Sequence, residues 1–141
     1  MKTHLTIRAA SSTDVSAVFE LWALARSAYA TTIDHPGDVR RLVAEQPGSL
    51  LIADAESAIV GALIAAWDGW RGNLYRLAVH PEHRRCGIAT QLVRAGENHL
   101  RTLGARRITA LVAHDDATAA AFWAAACYPF DTEIGRRVRN L

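Results

Sequence analysis

Apolar positions along this chain recur with two periods, two residues and three to four, and the switches between them mark out strands and helices. Leu5-Thr6-Ile7-Arg8-Ala9 alternates and predicts a first strand. Ser11-Ser12-Thr13-Asp14 supplies helix-capping residues, with Asp14 favourable at the positive end of a helix dipole. Val15, Val18, Phe19, Trp22 and then Ala25 or Arg26 follow at helical spacing, which predicts a helix to about Tyr29. Thr31 to Gly37 reads as a loop. Asp38 then caps a short helix, Val39 to Gln46, which Pro47-Gly48 ends. Ser49 to Asp54 reads as a buried strand, Ala55-Glu56-Ser57 as a turn, Ala58 to Trp67 as the returning strand and Asp68-Gly69 as a second turn.

Leu74 to Val79 is apolar apart from Arg76 and predicts a fourth strand, which Pro81 ends because it cannot donate to a ladder. A helix is expected from about Gly87 to Leu103, with Leu92, Val93, Gly96, Leu100 and Leu103 inward and Gly104 as its stop. Gly96 inside it costs ~1 kcal/mol relative to Ala, for which close packing on the sheet is a reason. Arg107 to Ala113 reads as strand five. Asp115 or Asp116 caps an Ala-rich helix, Ala117 to Ala126, with Ala119, Phe122, Trp123 and Ala126 on one face. Two short strands, near Tyr128–Glu133 and Arg136–Asn140, close a β-α-α-β-β-β-α-β-α-β-β order, an α/β plan in one domain over 1–141.

A chain of 141 residues, 50% hydrophobic and 21% charged, is long enough for one sizeable core. Its net charge of +2 suits an anionic cofactor and is too small to argue for nucleic acid. The Arg pairs 40–41, 84–85, 106–107 and 136–137 are spread along the chain, as solvated surface is. No apolar run reaches ~18 residues, so no membrane helix is expected. Met1 to Leu5 lacks the apolar segment of a secretory signal, and two cysteines make no disulfide framework, so the cytoplasm is expected. His80-x-x-His83-x-x-Cys86 offers three metal ligands without a fourth, and no metal is expected.

The chemistry concentrates where the fourth strand turns into its helix, at Arg84-Arg85-Cys86-Gly87-Ile88-Ala89-Thr90. Successive backbone N–H groups in such a turn converge on one point, at the positive end of the helix dipole. Gly87 permits a positive φ and close approach of a ligand. Ala89 is small, and Arg84 and Arg85 add charge. The pattern predicts a cradle for a phosphorylated ligand.

Arg84-x-x-Gly87-x-Ala89 resembles the Q/R-x-x-G-x-G/A signature of the GCN5-related N-acetyltransferases. The resemblance implies a mixed, mostly antiparallel sheet of six to seven strands flanked by about four helices. It implies that Arg84, Arg85, Cys86, Gly87, Ile88, Ala89 and Thr90 hold the pyrophosphate of acetyl-CoA. Leu77, Ala78 and Val79 would carry the thioester and pantetheine arm, where strands four and five splay apart, and one of their N–H groups would serve as oxyanion donor. Trp67-Asp68-Gly69-Trp70-Arg71-Gly72, followed by Leu74-Tyr75, also resembles an uncharacterised bacterial subgroup. Trp67, Trp70 and Tyr75 either line an acceptor pocket or cover a sheet face.

The family's second motif is similar to Asp116-x-x-Ala119-x-x-Phe122-Trp123-Ala124-Ala125-Ala126-Cys127-Tyr128. Asp116 stands for the usual Asn near the cofactor, and Asp116, Ala119 and Trp123 are carried over as cofactor contacts. Cys127 replaces Gly, and Trp123 stands where the family has an acid Tyr. Indole N–H donates a hydrogen bond but does not release its proton at neutral pH. A thiol has pKa ~8.5, so releasing thiolate at pH 7 costs about 2 kcal/mol, roughly thirtyfold in rate. Trp123 at the sulfur, water, or a substitute acid, Tyr75 or Tyr128, would meet that cost. Asp68 is the first candidate base, although a carboxylate in Asp-Gly also caps its own turn. Asp34, Glu56 and a water chain are further candidates. The expected reaction is acetyl transfer from acetyl-CoA to a primary amine, on a small molecule or a protein N-terminus. Direct attack in a ternary complex is expected, because no Ser or Cys pairs with a base. Homodimerisation through the last strands is a further expectation. The rivals are a non-catalytic acyl-CoA-binding module and a Gly-loop nucleotide binder, the latter lacking G-x-x-x-x-G-K-[ST] and G-x-G-x-x-G.

Overall fold

The computed structural model describes residues 4–25 and 33–141. They form two compact units, Met1–Leu111 and Val112–Leu141. The first unit holds one sheet, with strands β1 (Leu5–Ala9), β2 (Leu50–Ala55), β3 (Ala58–Trp67), β4 (Gly72–Val79) and β5 (Ile108–Ala110) side by side in that order. β1 to β4 are antiparallel, and β5 runs parallel to β4. Helices α1 (Val15–Leu24), α2 (Pro36–Glu45) and α3 (Ile88–Leu103) flank this sheet, and α4 (Ala117–Ala125) belongs to the second unit. Among the described residues no helix is long and apolar enough to cross a membrane.

Burial on both faces explains the near-continuous apolar runs of β2 and β3. On one face Val15, Val18, Leu21 and Trp22 of α1 and Val39 and Val43 of α2 pack over Leu50, Ile52, Ala62 and Ile64. On the other lies α3, and two glycines set how closely. A Cβ on Gly96 would meet Leu63 Cδ2 at 3.1 Å and Leu74 Cδ2 at 3.2 Å. One on Gly61 would meet Ile88 Cγ2 and Leu92 Cδ1, each at 2.9 Å. The helix propensity that Gly96 forfeits thus lets α3 sit against the sheet.

Arg8 ties β1 to the start of α1, its Nη1 and Nη2 donating to the two Asp14 oxygens at 3.0 and 3.1 Å and its Nε to Asp54 Oδ2 at 3.2 Å. Asp14 also accepts from Ser11 N at 2.8 Å, and these partners, Arg8 first, lower its pKa to about 2.

Several expectations shift. The described part of α1 ends at Leu24, where Ala25 N donates to Leu21 O at 2.9 Å; residues 26–29 of the expected helix lie outside the described residues. α2 begins earlier than expected because Pro36 sits in its first turn, where its missing N–H costs nothing, so Asp38 falls inside the helix. The described residues hold five strands, not six to seven: β5 is confined to Ile108–Ala110, and neither 128–133 nor 136–140 forms a strand. The last segment offers one apolar side chain, Val138, among three arginines and an asparagine, too little burial to offset the cost of ordering a strand. In the segment before it, Asp131 Oδ1 accepts from Glu133 N at 3.0 Å, a side-chain turn in place of a ladder bond.

Candidate active site

β4 breaks its own regularity. Ile64 faces Tyr75 and Ala62 faces Ala78, so two steps on β3 match three on β4. The extra residue is a β-bulge, and Arg76 in it takes φ 57°. Because of the bulge Tyr75 and Ala78, three apart, both pack on the α1/α2 face. The bulge also brings the Arg76 guanidinium over the Trp22 ring, 4.7 Å from its centroid, and Nη2 to 2.6 Å from Asp34 Oδ2. That approach lies off the direction a hydrogen bond needs, and Oδ2 has no hydrogen-bond partner. The sequence held one sign of this feature, a lone charge in an apolar strand, and the bulge itself was not read from it.

Before the bulge β4 has already lost one of its two neighbours. The ladder to β5 pairs Gly72, Asn73 and Leu74 with Ile108, Thr109 and Ala110, then stops while β4 runs on to Val79. β5 itself ends at Ala110, so the ladder stops because β5 is short, and a splaying of strands four and five remains what the resemblance implied. His80 N donates to Val60 O at 2.7 Å, which marks that pair as hydrogen-bonded. Alternation makes 62/78 the next such pair, so Ala78 N–H points to β3 and the N–H groups of Leu77 and Val79 point to the open edge. Of the three candidate donors, Leu77 and Val79 therefore remain.

The strand leads through a 3₁₀ turn, Pro81–His83, into the basic turn. Arg85 has φ 63° and Gly87, the N-cap of α3, has φ 76°. The first helical bond is Gln91 N to Gly87 O at 3.1 Å, and no side chain caps the helix. Among the described residues, no acceptor takes the N–H groups of Arg85, Cys86, Gly87, Ile88, Ala89 or Thr90. Ile88 is buried on the sheet and anchors the turn, Ala89 is half-buried, and Arg84, Arg85, Cys86 and Thr90 are exposed. A Cβ on Gly87 would meet nothing within 4 Å. The turn thus holds six consecutive amides without an acceptor, with the exposed Arg84 and Arg85 at its start. His80 Nδ1 accepts from Glu82 N at 3.1 Å and so serves the 3₁₀ turn. Among the described residues no three His, Cys, Asp or Glu side chains converge to hold a metal.

Asp68 lies at the β3–β4 hairpin. Its Oδ1 accepts from Arg71 N at 2.6 Å and Trp70 N at 2.8 Å, and these bonds lower its pKa. The capping role is the one its geometry displays. Trp70 beside it is 69% exposed, with the Arg71 guanidinium stacked 4.0 Å from its ring, whereas Tyr75 packs on the core.

In the second unit, Asp116 Oδ1 accepts from Ala119 N at 3.0 Å and caps α4. Trp123 is buried, edge-on to Phe122 at 5.3 Å and to Tyr128 at 5.2 Å. Cys127 N donates to Ala124 O and Tyr128 N to Trp123 O, at 3.1 and 2.8 Å, with Cys127 at φ 72°. This is a Schellman cap, whose left-handed position favours glycine. Cys127 is the exposed residue just past the Ala126 C-cap.

The Acetyltransferase (GNAT) family model matches residues 16–127. An acetyltransferase of Photorhabdus laumondii is 37% identical over 61% of this chain and 61% of its own length. One of Pectobacterium atrosepticum is 32% identical over 79% of each. The chain thus spans about three fifths of the first relative and four fifths of the second. Among solved structures, AAC(6')-Iy in complex with the bisubstrate analogue CoA-S-monomethyl-acetylneamine superposes with TM-score 0.77 at 18% identity, over 99% of both chains, a likeness of fold. The chain belongs to the GNAT acetyltransferase family.

Proposed function

We propose that this chain is a single-domain, acetyl-CoA-dependent N-acetyltransferase that acetylates a primary amine by direct attack. The observation that carries the reading is the stretch of β4 past Leu74 that β5 does not pair, followed closely by a turn of unpartnered amides. The Arg85–Thr90 amides, with Arg84 and Arg85, hold the pyrophosphate. Leu77 and Val79 N–H hold the pantetheine arm and the acetyl carbonyl. When bound, acetyl-CoA supplies an activated thioester carbon and a thiol leaving group. Leu77 or Val79 N–H stabilises the negative charge that develops on the carbonyl oxygen. The family likeness assigns Asp116, Ala119 and Trp123 to the pantetheine side, with Trp123 N–H, Tyr128 or Tyr75 near the departing sulfur. An amine of pKa ~10.4 must first lose a proton. Asp68, tied into its turn, is suited to positioning, and water can carry that proton. The acceptor is a small-molecule amine or a protein N-terminus, and the chain works in the cytoplasm. A homodimer contact through the chain end would use the exposed Phe130, Ile134 and Val138 rather than strand edges.

Thiol release from acetyl-CoA with a panel of primary amines tests this reading. Amine-dependent release is expected. Tight CoA binding with no release for any amine would favour a non-catalytic acyl-CoA-binding module, the reading to which Trp123 at the acid position points.

A further inference from the structure

At the bulge, three neighbouring residues bury polar atoms without hydrogen bonds: Trp22 Nε1, Arg76 Nε and Asp34 Oδ2. Trp22 is only 5% exposed, so its indole N–H reaches no solvent. A buried donor without an acceptor keeps its full desolvation cost and calls for an explanation. Arg76 makes the case sharper. Its Nε and Nη2 form the side-on edge of the guanidinium, which pairs best with both oxygens of one carboxylate. Asp34 lies against Nη2 with one oxygen, poorly aligned, and leaves Nε empty. The strand meanwhile holds Arg76 at φ 57°, a left-handed conformation rare for a side-chain-bearing residue. Arg76 directly precedes Leu77, whose N–H the proposed function places at the acetyl carbonyl.

We infer that Arg76 and Trp22 form an acceptor subsite for a carboxylate, so that the preferred substrate is an amine carrying a carboxylate a few bonds away, an amino acid. The substrate carboxylate takes the Nε/Nη2 edge, and Asp34, 29% exposed, gives up its one-oxygen contact. The second unsatisfied donor, Trp22 N–H, adds a further bond to an oxygen of the substrate. A guanidinium here also disfavours acceptors whose neighbouring groups are all cationic.

This inference rests on the acetyl-transfer reading, and the experiment separates the two. Thiol release is measured with matched acceptors: phenylalanine, phenylalaninamide and phenethylamine. At least a tenfold preference in kcat/KM for the carboxylate is expected. Trp22→Phe, which keeps a ring under Arg76 but removes the N–H, should raise KM for phenylalanine about tenfold. It should leave KM for phenethylamine and the Kd for CoA unchanged. Equal use of the three acceptors, or equal effects of Trp22→Phe on all of them, would overturn the subsite and leave the transferase intact; a water or a purely structural ion pair would behave that way. Should no amine release thiol, calorimetry of phenylalanine against CoA-saturated protein decides. Binding weakened by Trp22→Phe upholds the subsite, and no binding rejects it.

Discussion

Replacing Gly87 by Val separates the fold of this protein from its grip on CoA. The residue holds φ 76° at the N-cap of α3, and a Cβ there would touch no protein atom within 4 Å. The folding cost is therefore backbone strain alone, about 1–3 kcal/mol for a β-branched residue in the left-handed region. For a chain of this size that is a drop of roughly 3 °C in Tm per kcal/mol. The same open space is where the anion belongs. A branched side chain there pushes the diphosphate off the turn and disturbs the aim of the Arg85–Thr90 amides. Losing two charge-assisted bonds at about 1.5–3 kcal/mol each weakens binding at least a hundredfold. Calorimetric titration of CoA, beside a thermal melt, reads both quantities. Gly37→Ala, at an exposed position in α2 with no atom within 4 Å and no positive φ, serves as the control and should leave CoA binding unchanged while holding or slightly raising Tm through helix propensity. Full-strength CoA binding by a folded Gly87→Val protein would show that the turn is not the phosphate site.

Trp123→Tyr places a group able to give up a proton at the position that the resemblance assigns to the acid. Turnover is expected to rise up to about thirtyfold at pH 7, and an unchanged kcat in a folded variant would show that protonation of the sulfur is not limiting. Asp68→Asn should leave the pH dependence of kcat unchanged, because turn amides already hold the Asp68 carboxyl below its usual range and it stays ionised across neutrality; loss of the acidic limb would reinstate it as the base. Asp14, with pKa lowered to about 2, contributes stability that is present above its unfolded value near 4 and lost as pH falls through about 2. Because Arg8 is 39% exposed, screening reduces that contribution to about 1–2 kcal/mol. Urea melts of Asp14→Asn should therefore show a deficit at pH 7 that closes toward pH 2, and a deficit constant with pH would contradict the ion-pair account.

Local pattern alone determined much of this protein. β3 runs from Ala58 to Trp67 as its apolar run with a turn at each end required, and Asp116 caps α4 as its residue type predicts. Arg84-x-x-Gly87-x-Ala89 marked the turn proposed to hold the phosphates, because a positive φ and an uncapped helix start leave a signature within a few neighbouring residues. Other features depend on partners far away in sequence. Whether β5 follows β4 past Leu74 is set by packing between strands more than thirty residues apart, and so the open edge was not legible. The bulge at Arg76 came into view only in register against β3, since an extra residue exists only relative to a partner strand. The meeting of Trp22, Asp34 and Arg76 follows from that bulge, and the inferred acceptor subsite rests on it. The expected last strands failed for the converse reason, that alternation in a short segment creates no strand without a buried face. Sequence determines what each segment prefers by itself; tertiary structure decides which edges stay unpaired and which charges are brought face to face, because those outcomes are energies of pairs.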